Sequence, residues 1–266
     1  MVSYSEISIV SELLRKFSVM KKFLLILTVV FSLLPPVNAQ LWKLRRYEFT
    51  GGIGTTQFYG DIGGFSNDKN ILGIRDFTFN QTRFNINSSL RYRITEDISA
   101  RVNMVFGIFH STDTRGSNVR RGFAENTIFF EPSLIGEYYF IKNKGENSFI
   151  FLKGNTTILE SIFASLDFYA FAGFGGLAFK VKPNNILAPL ATKTGGFTGV
   201  IPLGLGVDMI YSSKFNFGIE LGGRFTYSDN IDGYTSPRST HNDVYHFLNF
   251  TLTYKIVTKE NVFPSF

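Results

Sequence analysis

Residues Phe215 to Tyr227 alternate in character, interrupted only at Gly223, and this alternation limits what the chain can become. Phe215, Phe217, Ile219, Leu221, Phe225 and Tyr227 fall on one side, and Asn216, Gly218, Glu220, Gly222, Arg224 and Thr226 on the other. A period of two puts the sets on opposite faces of a strand. A soluble core or a lipid phase would both take the apolar face. Seven further segments carry related patterns, at Tyr47–Phe58, Arg83–Ile94, Ile98–Phe109, Thr127–Phe140, Asp167–Lys180, Val200–Tyr211 and Asp243–Ile256. The strand at Asp167–Lys180 alternates poorly because Ala and Gly fill its middle. Each segment is long enough for the 9–11 residues that a tilted strand needs to cross a bilayer.

The region before the first strand explains how such a chain reaches a membrane. Met20, Lys21 and Lys22 form a basic start, and Met20 is a second candidate start of translation. Phe23 to Leu34 is apolar apart from Thr28 and Ser32, and Pro35-Pro36 ends the run. Val37-Asn38-Ala39 is a small-residue cleavage pattern. A spanning helix needs about 20 apolar residues, so the run is too short for an anchor and reads as an export signal. We expect residues 1–39 to be an extension plus signal peptide cleaved after Ala39. Residues 40–266 then form one outer-membrane barrel domain.

Composition removes other classes. The net charge is +6, of which Arg15, Lys16, Lys21 and Lys22 against Glu6 and Glu12 leave with the signal. So mild an excess gives no argument for nucleic acid. Cysteine is absent, so no disulfide framework is available. Aromatic residues reach 16%, with 30 Phe and 12 Tyr against one Trp, which suits a lipid-facing wall and its interfacial girdles.

The connections alternate in length. Thr95-Glu96-Asp97 and Ser212-Ser213-Lys214 are tight, while 59–82, 110–122, 181–198 and 228–242 are long and polar. Outer-membrane barrels pair short periplasmic turns with long external loops. The exception is 141–166, a periplasmic insertion with an apolar stretch at Phe149–Leu152. A further hairpin there would make ten strands, the alternative to the expected eight-stranded antiparallel transmembrane barrel.

Eight strands enclose a lumen that side chains just fill. Face parity turns Arg83, Arg91, Arg93, Arg101, Arg224 and Lys255 inward, with Glu131, Glu137, Asp208 and Glu220. Glu48 and Asp167 are candidates to join them. The near-even balance predicts a paired network plugging the lumen, and the inward glycines keep a conducting pore as the alternative.

No pattern commits the chain to catalysis, a cofactor or a metal. His110-Ser111, with Asp113 nearby, is the one place for a lipid-modifying hydrolase, and no spacing fixes its geometry. His241, Asp243 and His246 do not share a face. Ser228–Gly233 lacks the acidic spacing of a calcium loop. Gly173-Phe174-Gly175-Gly176 lies within a strand and so cannot cradle phosphate. Arg115, Arg120 and Arg121 could meet lipopolysaccharide from an external loop.

Several stretches carry a family resemblance. They are Leu41–Glu48, Tyr59-Gly60-Asp61-Ile62-Gly63-Gly64, Gly136–Phe140, Ala172–Gly176, Pro202–Gly206, Gly218–Thr226 and Asp229–Asp232. Together they resemble the PorG-like outer-membrane barrels of Bacteroidota, whose namesake is an accessory of the type IX secretion machinery. The resemblance implies a non-enzymatic barrel that meets a periplasmic secretion ring. We expect Trp42, Lys43, Arg45, Arg46, Phe149 and Phe151 to form that contact, on a monomeric barrel. The tail beyond Ile256 departs from the family pattern. The alternative is an independent surface barrel binding ligands through 59–82 and 228–242.

Overall fold

The computed structural model describes residues 45–64, 77–114, 118–143, 147–154, 157–236 and 242–257. The predicted signal, Trp42, Lys43, Arg115 and His241 lie outside the described residues. Among the described residues the chain forms β1 (Tyr47–Tyr59), β2 (Arg83–Arg93), β3 (Ile98–Thr112) and β4 (Ala124–Ile141). Helices α1 (Phe149–Leu152) and α2 (Ile158–Ala164) follow. Then come β5 (Leu166–Pro183), β6 (Gly195–Ile210), β7 (Phe215–Thr226) and β8 (Val244–Ile256).

The strands are antiparallel neighbours in chain order, and β1 pairs with β8 from Tyr47↔Ile256 to Tyr59↔Val244. Closure leaves no unpaired sheet edge. The protein is an eight-stranded antiparallel barrel. The 141–166 insertion holds two short helices instead of a ninth and tenth strand. Ser148 and Thr157 cap them, and Thr157 forms a reciprocal capping box with Glu160.

The central strands run further toward the long-loop end than alternation predicts. β5 reaches Pro183 and β6 starts at Gly195, so the connection is 184–194 rather than 181–198. The tight turns fall where expected. Ser212 Oγ accepts from the backbone N–H groups of Lys214 and Phe215, which fixes the β6–β7 turn.

The wall has an apolar outside. Ile53, Phe84, Ile86, Phe174, Phe197 and Leu221 are all more than half exposed. An apolar surface encircling the molecule is far larger than a water-soluble monomer tolerates. At the short-turn end the outward faces carry paired rings, among them Tyr47–Tyr92, Phe140–Phe168 and Phe215–Tyr254. Among the described residues no helix is long and apolar enough to cross a membrane.

Candidate functional site: the filled lumen and the loop cap

The lumen has two layers. The layer nearer the short turns is charged. Arg91 of β2 sits at its centre: Nη1 donates to Glu48 Oε2 at 3.0 Å and Asp208 Oδ2 at 3.2 Å. Its Nη2 donates to Glu137 Oε1 at 3.1 Å. Arg93 Nη2 lies 2.8 Å from Glu48 Oε1. Arg101 Nη2 donates to Glu220 Oε2 at 2.9 Å, and its Nε lies 3.2 Å from Glu137 Oε1. Arg224 Nε lies 3.6 Å from Glu131 Oε1. Lys255 is fully buried in the same layer. Beneath them Asp167 accepts from the backbone N–H of Asn143 at 2.7 Å and pairs with Lys142 at 3.4 Å.

These residues converge because strand parity turns them inward and the barrel is narrow. In an eight-membered ring β2 faces β6, β3 faces β7 and β4 faces β8. Arg91–Asp208 spans the first diameter and Arg101–Glu220 the second. Tyr245 donating to Glu131 at 2.6 Å spans the third. Charges buried this deeply must be paired.

Arg83 is the exception among the predicted lumen charges. It has inward parity but stands at the loop end of β2. There its Nη1 donates to the carbonyls of Asn80 (2.9 Å) and Thr82 (2.8 Å), away from the network. Of the two candidates in the sequence, Glu48 is in the charged layer and Asp167 lies just beneath it with Lys142.

The second layer is aromatic, which the expectation of a polar interior missed. Phe109 and Phe129 stack with centroids 4.0 Å apart and planes 8° apart. Phe129 stacks on Phe247 at 5.7 Å, and Phe58 and Tyr245 close around Phe109. Arg224 lies over the Phe247 ring at 4.4 Å and joins the layers. The space beside two of the inward glycines is occupied. Gly206 faces the Tyr169 ring and Gly204 the Phe171 ring, so their missing side chains are replaced by rings from β5. Tyr169 then donates to Glu220 Oε1 at 2.6 Å.

Above the aromatic layer the long loops knit into a cap. Asp113 accepts from Arg121 Nε at 2.7 Å, from Gly63 N–H at 3.0 Å and from Phe123 N–H at 3.2 Å. Arg121 also donates to the Asp61 carbonyl at 2.7 Å and lies over the rings of Phe123 and Tyr234. It is therefore engaged within the cap, whereas Arg120 is exposed. Asp232 accepts from Ile62 and Tyr234 N–H groups, and Asp243 from Ile231 N–H at 2.8 Å. A Cβ on Gly60 would stand 2.6 Å from Asp243 Oδ1 and 2.7 Å from Asp232 Oδ2, so only glycine lets the backbone pass these two carboxyls. Burial raises the Asp232 pKa to about 7, with the Asp61 charge adding to it. Burial and then the Asp232 charge hold Asp243 well above the ordinary carboxylate range.

The proposed chemical pairs do not assemble. His110 points outward, where its ring contacts the Glu125 carbonyl and Asn126, while Ser111 points inward and is buried. Asp113 is taken by Arg121. His246 packs against Tyr59 on the outer face, away from inward Asp243. Among the described residues no group of three His, Cys, Asp or Glu could hold a metal ion. Phe149, expected as a partner contact, is half-buried with its ring stacked on Tyr211. Phe151 is exposed, and Arg45 and Arg46 are partly so.

The sequence matches no family model and no curated protein. Solved structures with a similar course of chain include Neisserial surface protein A, at 12% identity and a TM-score of 0.44, covering 79% of this chain and 97% of that one. Another is Ail, the attachment invasion locus protein of Yersinia pestis, in complex with sucrose octasulfate. It is 10% identical with a TM-score of 0.41, covering 80% and 99%. The outer-membrane enzyme PagL is 10% identical with a TM-score of 0.33, covering 79% and 99%.

Proposed function

We propose that this protein is a non-enzymatic outer-membrane barrel, sealed to solutes, that acts through its two rims. The observation that carries this reading is the filling of the lumen across all three diameters named above, by Arg91–Asp208, Arg101–Glu220 and Tyr245–Glu131. A wall that is apolar outside and charged inside supports the membrane setting, since lipid is the solvent that rewards it. Short turns and both strand termini share one end, which in this architecture is the periplasmic end.

At that end we propose an accessory role in type IX secretion. Its support is the sequence resemblance, together with the helical insertion at the periplasmic end. The contact for a secretion ring would come from Trp42, Lys43, Arg45, Arg46 and the insertion, with Phe151 available and Phe149 committed to the wall. Affinity purification from gently solubilised outer membranes tests this. Ring proteins should copurify, and replacing residues 144–164 with a short turn should release them while the barrel still inserts. Recovery of the barrel alone from membranes that contain the ring would overturn the secretion role.

The loop cap favours a second reading, a surface barrel that binds ligands externally. Cross-loop bonds such as Arg121–Asp113 make the cap a preorganised platform. Retained surface binding of lipopolysaccharide after Arg120→Ala and truncation of 65–76 would count against it.

A further inference from the structure

The insertion between β4 and β5 is tied to the outside of the wall, not tucked beneath the lumen. The Phe149 ring stacks on Tyr211 at 6.1 Å, and the Ile150 N–H donates to the Tyr211 carbonyl at 3.2 Å. Tyr211 meets Phe217 edge-on at 5.2 Å, and Phe217 belongs to the outward face of β7. Phe149, Tyr211 and Phe217 thus form a ladder leading from the apolar belt to the helices. The ladder lies at the same end as the paired rings of the other strands, where a bilayer interface would fall.

From this anchor the helices turn an apolar surface outward. In α2, Ile158, Leu159 and Phe163 are 61%, 68% and 71% exposed. With half-buried Ile162 they occupy positions i, i+1, i+4 and i+5, a single stripe. Glu160, Ser161 and Ala164 fall on the other side. Phe151 of α1 is 67% exposed. The capping box at Thr157 and Glu160 shows a helix whose start is fixed by its own sequence. In water such a stripe beside an apolar wall would be a liability. An amphipathic helix at a bilayer boundary instead lies in the interface plane with its apolar side among acyl chains.

We propose that α1 and α2 form an interfacial anchor lying in the periplasmic leaflet, with phospholipid as the occupant of the Ile158–Leu159–Phe163 stripe. Continuity with the belt through Phe149, Tyr211 and Phe217 favours lipid over a protein partner. The proposal rests on the membrane-spanning reading of the barrel. It adds that Glu160, exposed beside the buried Ser161, is what the insertion offers to the periplasm.

The absence of cysteine makes a direct test simple. Full-length single-cysteine variants Leu159→Cys, Phe163→Cys, Glu160→Cys and Leu221→Cys are labelled with an environment-sensitive fluorophore and reconstituted in phospholipid vesicles containing brominated acyl chains. Leu221 reports the barrel wall. The expected result is blue-shifted emission and several-fold stronger quenching at 159 and 163 than at 160, approaching the level at 221. Water-like emission at 159 and 163 with strong quenching at 221 would overturn the anchor and leave the barrel reading intact. Loss of quenching at 221 as well would overturn the membrane-spanning reading and the anchor with it. Shielding of 159 and 163 only after secretion-ring protein is added would overturn lipid in favour of that partner.

Discussion

Arg91 on β2 and Asp208 on β6 stand on opposite sides of the ring, yet their side chains meet at 3.2 Å. The lumen is therefore no wider than two side chains at this level. An interior so narrow forces every inward charge to find a partner across or around the ring. It also makes the network brittle, because Arg91, Arg101, Glu48 and Glu137 each serve more than one partner.

That brittleness is measurable at Arg101 and Glu220. Removing one partner of a buried pair strands the other and typically costs about 3–5 kcal/mol. Arg101→Ala should lower unfolding stability in lipid vesicles by that order. The double replacement Arg101→Leu with Glu220→Leu should recover much of the loss, because no unpaired charge remains. Urea titration of both variants checks this, and equal losses would contradict the pairing.

The ring-over-glycine arrangement gives a second prediction. A methyl group at Gly206 would press into the Tyr169 ring. Gly206→Ala should displace Tyr169, weaken its bond to Glu220 and cost about 1–3 kcal/mol, the usual penalty for overpacking. Pairing with Tyr169→Ala should remove most of that penalty in a thermodynamic cycle.

The aromatic layer predicts a different signature. Phe129 stacks between Phe109 and Phe247, and truncation of such a ring costs about 3–5 kcal/mol. Phe129→Ala should lower stability by that order and leave the barrel non-conducting, since the charged layer still closes the lumen. Refolding yields and melting profiles in detergent check the first part, and bilayer recordings the second.

The loop cap should respond to pH. Asp232 and Asp243 hold their protons more tightly in the folded cap than in an unfolded chain, because burial penalises their charged forms. Their contribution is fully present below the ordinary carboxylate range. It is lost as pH rises through that range to about 7 for Asp232. Hydrogen exchange of residues 227–236 should therefore be slower at pH 5 than at pH 8 after correction for intrinsic rates. Asp243→Asn should flatten that difference.

Much of this architecture is legible in the sequence. The alternation at Phe215–Tyr227 sets the faces of β7, and turns such as Ser212–Lys214 set the hairpins, because period and turn chemistry are local. Partners are not local. Parity turns Arg101 and Glu220 inward, but their meeting depends on strand stagger around a closed ring. Arg83 shows the converse: its parity matches the network, while its height on the strand carries it to the loop carbonyls. The aromatic layer did leave a signal, since Phe58, Phe109, Phe129 and Phe247 share parity with the polar residues of their strands. Tyr169 and Phe171 were obscured by the Ala and Gly of β5. Phe149 looked like a free apolar contact because nothing in its neighbourhood announces Tyr211.

Planar-bilayer recording of the purified full-length protein tests the sealed-barrel account most directly, with insertion verified by lipid quenching at a label on position 221. The account predicts a quiet membrane, without stepwise conductance at moderate voltage. Regular conductance steps from inserted protein would show an open path through the lumen and contradict it.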